Sequence, residues 1–425
     1  MRTGTVDAGQ DVIFDWNRLY KRAPLAPGRF DLVDETLRDG LQSPSVTDPT
    51  IEQKIELIHL MEDLGIRMAD VGLPGAGRRA QEDVQALVEE IRDSGMKLKP
   101  MCAARTMVRD VEPVADIAQR TGVPMEVYTF IGSSPIRLYV ESWSLDTLLR
   151  RIDETVTFAM REGLEVCLVT EDTTRSRPDV LDPLFRAAVR LGVRRLCLCD
   201  TVGHVTPDGM KNLFDWTHSL IRGLGEPVEL DWHGHNDRGL GVTNAILAIE
   251  YGATRAHGTG LGVGERVGNA SIDQMLLNLK LLGEWDHDLS KLGRYCQAVS
   301  RYCRVDIHPS YPMAGRDAFR TGTGVHAAAI IKALKRGDHN LADRVYSGVP
   351  ANWFGRDQEI EIGHMSGLSN VSYWLASRRI PVDEELCSAI LARAKASNRV
   401  LTHEEVMDIV REHRGDPVEE AIAEG

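Results

Sequence analysis

The sequence predicts an α/β fold, a closed (β/α)8 TIM barrel with C-terminal helical subdomains. From residue 30 to about residue 283, short apolar runs alternate with helix-length amphipathic segments. Strands that alternate with helices form a parallel sheet, and eight such units are the number that closes a barrel. A doubly wound open sheet is the alternative fold. The eight predicted strands are residues 30–34, 68–72, 97–102, 126–130, 165–170, 195–199, 229–233 and 255–259.

Capping residues mark the helices between these strands. Asp48 is predicted as an N-cap because Pro49 follows it in the first turn, and Gly65 predicts the end of that helix. Thr206 and Pro207 predict a second helix start by the same pattern. Helices therefore separate the strands, as a barrel requires.

The alternation of strands and helices ends near residue 284. Residues 346–380 are predicted to be irregular, and residues 382–413 are predicted to form two helices, the second with a capping box of Thr402 and Glu405. We therefore predict three regions. They are an N-terminal arm (residues 1–28), the barrel (residues 29–284) and mostly helical C-terminal subdomains (residues 285–425).

Composition and charge limit the kinds of partner that the chain is expected to bind. The chain has 425 residues and a net charge of −13, which argues against nucleic acid, because phosphate binding needs basic patches. No apolar run approaches the length of a membrane span and no N-terminal signal pattern is present, so no membrane partner is expected. The seven cysteines are odd in number and contain no Cys-x-x-Cys pair, which is typical of a reduced, cytoplasmic protein.

Two histidines at the end of the seventh predicted strand are the most informative pattern. His233 and His235 are two residues apart, and strand side chains alternate between faces, so both imidazoles point the same way. Two imidazoles on one face suit one divalent metal ion. The C-terminal ends of barrel strands are also where this fold carries its chemistry. The alternative is a pair of surface histidines.

Polar residues also follow predicted strands 1, 5 and 6. Asp39, Glu171 and Thr201 occupy these positions. Barrel closure places strand 8 between strands 7 and 1, so Asp39 is expected near the histidine pair as an anionic ligand. Taken singly, Asp39 fits a turn residue, Glu171 a solvated carboxylate and Thr201 a helix-entry hydroxyl. The glycine-rich run 258–268 lacks dinucleotide-site spacing and indicates backbone that turns sharply or passes close to a ligand.

In this order, the motifs resemble those of the metal-dependent acyl-CoA condensing enzymes built on a TIM barrel. That group includes isopropylmalate synthase, homocitrate synthase and citramalate synthase, with hydroxymethylglutaryl-CoA lyase as a relative. The matching motifs are Thr36-Leu37-Arg38-Asp39-Gly40-x-Gln42, Glu171-Asp172-x-x-Arg175, Asp200-Thr201-Val202-Gly203, His233-x-His235-Asn236-Asp237 and Gly264-Glu265-Arg266-x-Gly268-Asn269. Weaker similarity continues through Gly324-Val325-His326, Tyr346 and Ser366-Gly367.

The resemblance implies a metal centre. Asp39, His233 and His235 would hold a divalent ion, with Asn269 as a further ligand or close neighbour. Mixed nitrogen and oxygen ligands do not choose sharply among Zn, Mn and Mg, so the metal stays open.

The resemblance also implies catalytic residues. Arg38 would polarise the keto oxygen of the substrate, and Glu171 and His326 would serve acid–base roles. In the synthases the counterpart of His326 reaches into the partner's barrel. A homodimer with exchanged C-terminal subdomains is therefore implied, in which His326 and Tyr346 complete the partner's active site.

Four further residues are assigned to substrate binding. Through the resemblance, Thr201 would bind the carboxylate of a 2-oxo acid, and Gln42 would also bind the substrate. Arg105 and Arg137 follow strands 3 and 4, so both are expected to face the barrel mouth, where an Arg fork suits a carboxylate. The alternative for either arginine is a CoA phosphate or a local acid such as Glu141.

The implied reaction is condensation of acetyl-CoA with a 2-oxo acid, as in amino-acid biosynthesis. CoA and a 2-hydroxy dicarboxylic or tricarboxylic acid would be released. The alternatives are a retro-aldol lyase or aldolase of the same fold, and a metal-binding protein without catalysis. The lyases carry a cysteine in the loop after strand 8, which residues 258–269 lack, and this favours a synthase. Leu41 and Asp70 depart from the common synthase pattern, so the side chain of the 2-oxo acid stays open.

Overall fold

The computed structural model describes residue 13, residues 15–18 and residues 29–414. It contains a closed barrel of eight parallel strands, which confirms the predicted fold. Strand β1 pairs with β8 from Asp31 opposite Arg255 to Asp34 opposite Gly258, and this pairing excludes the open sheet. The strands are β1 (Asp31–Asp34), β2 (Met68–Asp70), β3 (Lys99–Arg105), β4 (Glu126–Gly132), β5 (Glu165–Glu171), β6 (Arg195–Asp200), β7 (Glu229–Gly234) and β8 (Arg255–Gly258).

Nine helices of the described chain follow the barrel strands. They are α1 (Ile51–Asp63), α2 (Arg78–Asp93), α3 (Val108–Thr121), α4 (Pro135–Glu141), α5 (Leu145–Arg161), α6 (Pro178–Arg190), α7 (Pro207–Leu224), α8 (Gly241–Glu250) and α9 (Ile272–Leu282). The predicted N-terminal arm, residues 1–28, lies outside the described residues except for residue 13 and residues 15–18.

One predicted helix start is confirmed and the other is shifted. The Thr206 side chain accepts from a backbone N–H in the first turn of α7, as predicted. Helix α1 begins two residues later than predicted, because Thr50 and Gln53 form a reciprocal capping box that satisfies two otherwise unpaired N–H groups. Asp48 instead pairs with Lys54 at 2.7 Å.

Two apolar layers stabilise the barrel. Outside the sheet, Leu57 of α1 and Leu87 of α2 are fully buried in the main hydrophobic cluster. Inside it, Val33, Met68 and Met101 fill the centre between the strands. Because the inside of the barrel is packed, its cavity lies at the C-terminal ends of the strands.

The N-terminal end of the barrel holds a buried ionic network. Asp231 accepts from Arg195 Nη1 and from the Tyr128 hydroxyl, each at 2.5 Å. Arg255 donates to Glu126 at 2.6 Å and to the same tyrosine at 2.8 Å. Each charge has an opposite partner inside the barrel, so removal of one leaves another uncompensated.

We expect Asp231→Asn to lower the free energy of unfolding at pH 7 by about 3–5 kcal/mol, because Arg195 loses its nearest buried carboxylate. Burial alone would raise the pKa of Asp231, but Arg195 and His257 lower it to about 2. Aspartate in the unfolded chain has a pKa of about 3.9. The contribution of ionised Asp231 to the free energy of unfolding is therefore fully present above about pH 3.9 and is lost as the pH falls toward about 2.

Urea unfolding of wild type and Asp231→Asn at pH 7 and at acid pH measures this difference. The gap between the two proteins should narrow as the pH falls. The matched control Asp215→Asn removes an exposed ion pair with Lys211 and should change stability by less than about 1 kcal/mol. Equal losses in the two variants would contradict the assignment.

Helices and a small sheet follow the barrel. Helix α10 (Leu292–Cys303) packs into the main core, where the Tyr295 hydroxyl donates to Asp34 at 2.5 Å, so the barrel core extends past residue 284. Residues 346–380, predicted to be irregular, contain a strand and a helix. The remaining elements are β9 (Arg320–Thr321), α11 (Gly324–Lys335), α12 (His339–Arg344), β10 (Glu359–Ile360), α13 (Leu368–Ser377), α14 (Glu384–Ala396) and α15 (His403–Arg414).

The capping box predicted for the last helix is present, since Glu405 accepts from the backbone of Thr402 and donates its own N–H to the Thr402 hydroxyl. All seven cysteines are buried and unpaired. Among the described residues, none of the helices combines the length and the apolar character needed to cross a lipid bilayer.

Candidate metal centre and active site

The ends of β7, β8 and β1 bring the predicted ligands together. His233 lies at the end of β7, His235 follows it, and Asp39 follows β1. Asn269, in the loop after β8, forms an isolated antiparallel bridge with His235. Residues far apart in sequence therefore meet because the barrel closes between β8 and β1.

Ligand atoms of three of these residues converge. Asp39, His233 and His235 each offer one ligand atom, and these atoms all lie within 4.8 Å of one another. The Nε2 atoms of His233 and His235 lie 3.7 and 3.5 Å from Asp39 Oδ2. Ligands at about 2.1 Å from one ion are about 3.0–3.5 Å apart, so small side-chain shifts bring these atoms to coordination distance.

Unpaired polar atoms also point to a ligand at this site. The Asn269 amide nitrogen donates to Asp39 Oδ2. The amide oxygen of Asn269, Oδ1, is buried and has no hydrogen-bond partner among the described residues. His235 Nδ1 is likewise buried and unpaired within that part of the chain. Buried polar groups without partners are rare and call for an explanation such as a bound ion or water.

Glycines make room for Asn269. A Cβ at Gly264 would lie 2.1 Å from Asn269 Oδ1, and a Cβ at Gly268 would lie 1.8 Å from the Gly262 carbonyl oxygen. Gly268 also has a φ of +87°, which favours glycine. The glycine-rich run therefore packs the loop against a site residue, and the positive φ of Gly268 agrees with the sharp turn predicted as one alternative for this run.

The charges of the three candidate ligands differ in their effect on metal binding. Burial and the neighbouring His233 lower the pKa of His235 to about 4, so this imidazole is neutral near pH 7. Burial opposes ionisation of Asp39, yet Arg38 and His233 hold its pKa below the ordinary value. Burial alone would lower the pKa of His233, but Glu35 and Asp39 raise it to about 10. Binding of a cation to His233 would therefore displace a proton.

Arg38 is held by three carboxylates. Its Nε, Nη1 and Nη2 donate to Asp70, Asp39 and Glu35 at 2.7, 2.8 and 3.0 Å. The three contacts orient the guanidinium toward the cavity, which it lines. Arg38 thus presents a fixed positive charge beside the candidate metal ligands.

A cavity of about 280 Å³ opens beside the candidate ligands. Gln42, Glu171 and Thr201 line it, together with Arg38 and Asp39. The structure therefore brings most of the barrel residues assigned from the sequence to one place.

Arg105 and Arg137 do not line this cavity. Arg105 Nε pairs with Asp110 at 2.5 Å, and the Arg105 side chain is half exposed. Arg137 pairs with Glu171 at 2.9 Å and with Glu141 at 3.1 Å. The local acid named as the alternative partner of Arg137 is thus in contact with it, while Glu171 keeps it near the cavity.

His326 and Tyr346 lie apart from the barrel cavity of their own chain. Their rings stack with centroids 4.0 Å apart. Both side chains are exposed, and neither lines the cavity.

The sequence profile of the HMGL-like family matches residues 29–299. The chain belongs to the HMGL-like family. It is 32% identical over 401 residues to a protein named homocitrate synthase AksA from Methanopyrus kandleri. The aligned region covers 92% of this chain and 94% of the relative. It is 31% identical over 373 residues to a protein of the same organism named probable 2-isopropylmalate synthase, covering 87% of this chain and 70% of the relative.

A solved HMG-CoA lyase from Bacillus subtilis has the same fold as this HMGL-like chain. The TM-score is 0.56 at 18% identity, and the match covers 70% of this chain and 98% of the lyase. At this identity the likeness establishes the fold alone and not the reaction.

Two buried residues beside the candidate ligands, Glu35 and His257, were not predicted from the sequence. Glu35 lies 2.7 Å from His233 Nδ1 and 2.9 Å from His257 Nδ1. Strand alternation is a signal that could have located His257, because it follows the inward-facing Arg255 by two residues. Glu35 likewise follows the inward-facing Val33 by two residues.

Proposed function

We propose that this chain catalyses a metal-dependent condensation of acetyl-CoA with a 2-oxo acid. CoA and a 2-hydroxy dicarboxylic or tricarboxylic acid are released. The observation that carries the proposal is the convergence of Asp39, His233 and His235 beside Arg38 in one cavity. Relatives named homocitrate synthase and 2-isopropylmalate synthase support the same reaction class.

The donor set fits a divalent ion. Asp39, His233 and His235 would hold it, and the unpaired Oδ1 of Asn269 would lie at its edge. Two imidazoles with oxygen donors suit Zn, Mn or Mg. The chemistry that such an ion supplies is Lewis-acid polarisation of the ketone oxygen of a 2-oxo acid.

Glu171 is suited to remove the methyl proton of acetyl-CoA. It lines the cavity, and burial raises its pKa although Arg137 opposes the shift. A carboxyl whose pKa is closer to neutrality is a more effective base. The resulting enolate carbon attacks the ketone carbon of the 2-oxo acid, and water then cleaves the thioester to release CoA.

Arg38 and Thr201 bind the 2-oxo acid. The charge of Arg38 stabilises the alkoxide that forms as the carbon–carbon bond is made. Thr201 Oγ1 accepts from the backbone N–H of Asp172 at 2.8 Å, so its own hydroxyl proton is free to donate to a substrate carboxylate. Gln42 also lines the cavity and is placed to contact the substrate as well.

A panel of 2-oxo acids tests the proposed reaction. Each acid is incubated with acetyl-CoA, a divalent salt and the protein, and CoA release is followed with a thiol reagent. Release that requires the 2-oxo acid supports condensation. Cleavage of a 3-hydroxyacyl-CoA without any condensation would instead favour the lyase alternative.

We further propose that Arg137 recognises a second anionic group on the 2-oxo acid, because a guanidinium fork suits a carboxylate. Its contact with Glu171 supports this by placing it at the cavity edge, whereas Arg105 is held outside by Asp110. Arg137→Ala should then raise KM for a dicarboxylic 2-oxo acid much more than KM for acetyl-CoA. Strong activity with 2-oxoisovalerate and none with dicarboxylic 2-oxo acids would overturn this assignment.

We further propose a homodimer with exchanged C-terminal subdomains, which the exposed His326–Tyr346 pair supports. A cytoplasmic location is proposed separately, and the seven unpaired cysteines support it. We expect inactive His326→Ala chains mixed with inactive Glu171→Ala chains to regain activity, because a hybrid dimer contains one site with both intact residues. Up to about a quarter of wild-type activity per chain is the statistical expectation for one intact site in half of the dimers. Activity of the mixture after co-refolding measures the effect, and each variant alone is the control. No recovery in dimers shown to be mixed would mean that each site is built from one chain.

A further inference from the structure

Glu35 is a buried carboxylate that contacts three side chains beside the candidate metal ligands. It is 2% exposed, and both of its oxygens are in use. Oε2 lies 2.7 Å from His233 Nδ1. Oε1 lies 2.9 Å from His257 Nδ1 and accepts from Arg38 Nη2 at 3.0 Å.

The contact with His233 selects one ring nitrogen. An ionised carboxylate only accepts hydrogen bonds, so Nδ1 of His233 is the donor in this pair. When the ring is neutral, its lone pair is then on Nε2, the atom that faces Asp39 Oδ2 at 3.7 Å. The carboxylate therefore decides which nitrogen of His233 is available for a metal.

The contact with His257 anchors Glu35. His257 is 1% exposed, and its Nε2 lies 3.3 Å from Asp231 Oδ2. Asp231 is held in turn by Arg195 and Tyr128. Glu35 thus links the metal centre to the rigid ionic network at the other end of the barrel.

A competing role for Glu35 is direct ligation. Ligand atoms of Glu35, His233 and His257 also lie within 4.8 Å of one another. However, the Nδ1 atoms of both histidines are already at hydrogen-bond distance from the Glu35 carboxylate. This geometry favours an anchoring carboxylate over a metal ligand.

We propose that Glu35 is a positioning residue that orients His233 Nε2 toward a divalent ion at Asp39 and His235. The inference rests on the proposed metal site and adds a residue that no matching motif contains. Outer-shell partners of ligating histidines typically contribute about 10–100-fold to metal affinity.

Co²⁺ binding to the full chain tests the proposal, with the dissociation constant measured by competition with a chromophoric chelator. Glu35→Gln should bind Co²⁺ about 10–100-fold more weakly than wild type. The matched control is Asp70→Asn. Asp70 is equally buried and contacts Arg38 at 2.7 Å, but it has no hydrogen bond or ion pair with either ligating histidine among the described residues. Both variants lose an ion pair with Arg38, but only Glu35→Gln should lose metal affinity.

Three results would overturn the proposal. Folded Glu35→Gln that binds Co²⁺ like wild type removes the positioning role. Equal weakening in Asp70→Asn shows that the effect passes through Arg38 or through general stability. A loss of Co²⁺ affinity far beyond about 100-fold in Glu35→Gln, the size expected for a missing ligand rather than an outer-shell partner, shows that Glu35 is itself a ligand.

Glu35→Asp provides a second test where Glu35→Gln fails to fold. It keeps the charge but is one methylene too short to reach both histidines, so weaker Co²⁺ binding is expected and wild-type binding overturns the proposal. Failure of the wild-type chain to bind Co²⁺ would contradict the proposed function itself. If the wild-type chain binds Co²⁺ and the Glu35 variants bind it equally well, only the role of Glu35 is contradicted.

Discussion

His235→Ala should weaken divalent-metal binding by more than about 100-fold, beyond the loss expected for an outer-shell partner. The His235 ring is buried, its Nε2 lies 3.5 Å from Asp39 Oδ2, and its Nδ1 has no hydrogen-bond partner within the described chain. The direct effect should therefore be on metal binding, and a loss of activity should follow from the loss of the ion. CoA release should fall on the order of 10²–10³-fold, because a Lewis-acid ion contributes several kcal/mol to such a reaction.

Chelator competition and the thiol assay measure these two losses on the same preparations. His204→Ala is the matched control, because His204 follows the neighbouring strand β6 but is exposed and does not line the cavity. Its metal affinity and its activity should equal those of wild type. A His235→Ala protein that still binds the ion tightly would place the metal elsewhere.

Glu171→Gln should lower kcat for CoA release by about 10²–10⁴-fold, the range over which a general base contributes. Glutamine has nearly the same shape but is not a base. The dissociation constant for the metal should stay at its wild-type value, because Glu171 is not part of the ligand cluster. A large loss of kcat with intact metal binding would separate proton abstraction from metal binding.

The control for this second variant is Glu141→Gln. Glu141 also pairs with Arg137, at 3.1 Å, but it does not line the cavity. Steady-state kinetics with acetyl-CoA as the varied substrate should show a normal kcat for this control. If Glu171→Gln kept a kcat near that of wild type, the base would have to be another residue.

Much of the fold could be predicted because its determinants are local. Strand-length apolar runs and helix caps recur in a regular order, and eight parallel strands separated by helices are typical of a closed barrel. The convergence of Asp39, His233 and His235 then follows from barrel closure, which places β8 between β7 and β1. The sequence can therefore identify side chains that come together in the fold when those side chains lie at the ends of predicted strands.

Other features depend on contacts that local patterns do not encode. Glu35 and His257 gain their roles from each other and from Asp231, on three different strands or strand ends. The start of α1 depends on competition between two capping residues, in which Thr50 prevails through its reciprocal bond with Gln53. The short strand β10 exists only because β9 pairs with it.

Metal-dependent carbon–carbon bond formation between acetyl-CoA and a 2-oxo acid can be followed with acetyl-CoA that carries a ¹³C-labelled acetyl group. Mass spectrometry of the products should show a 2-hydroxy acid that contains both labelled carbons, in equal amount to the CoA released. Both products should be lost on chelation and restored by a divalent salt. CoA release without a labelled 2-hydroxy acid, or condensation that persists after chelation, would rule out metal-dependent condensation.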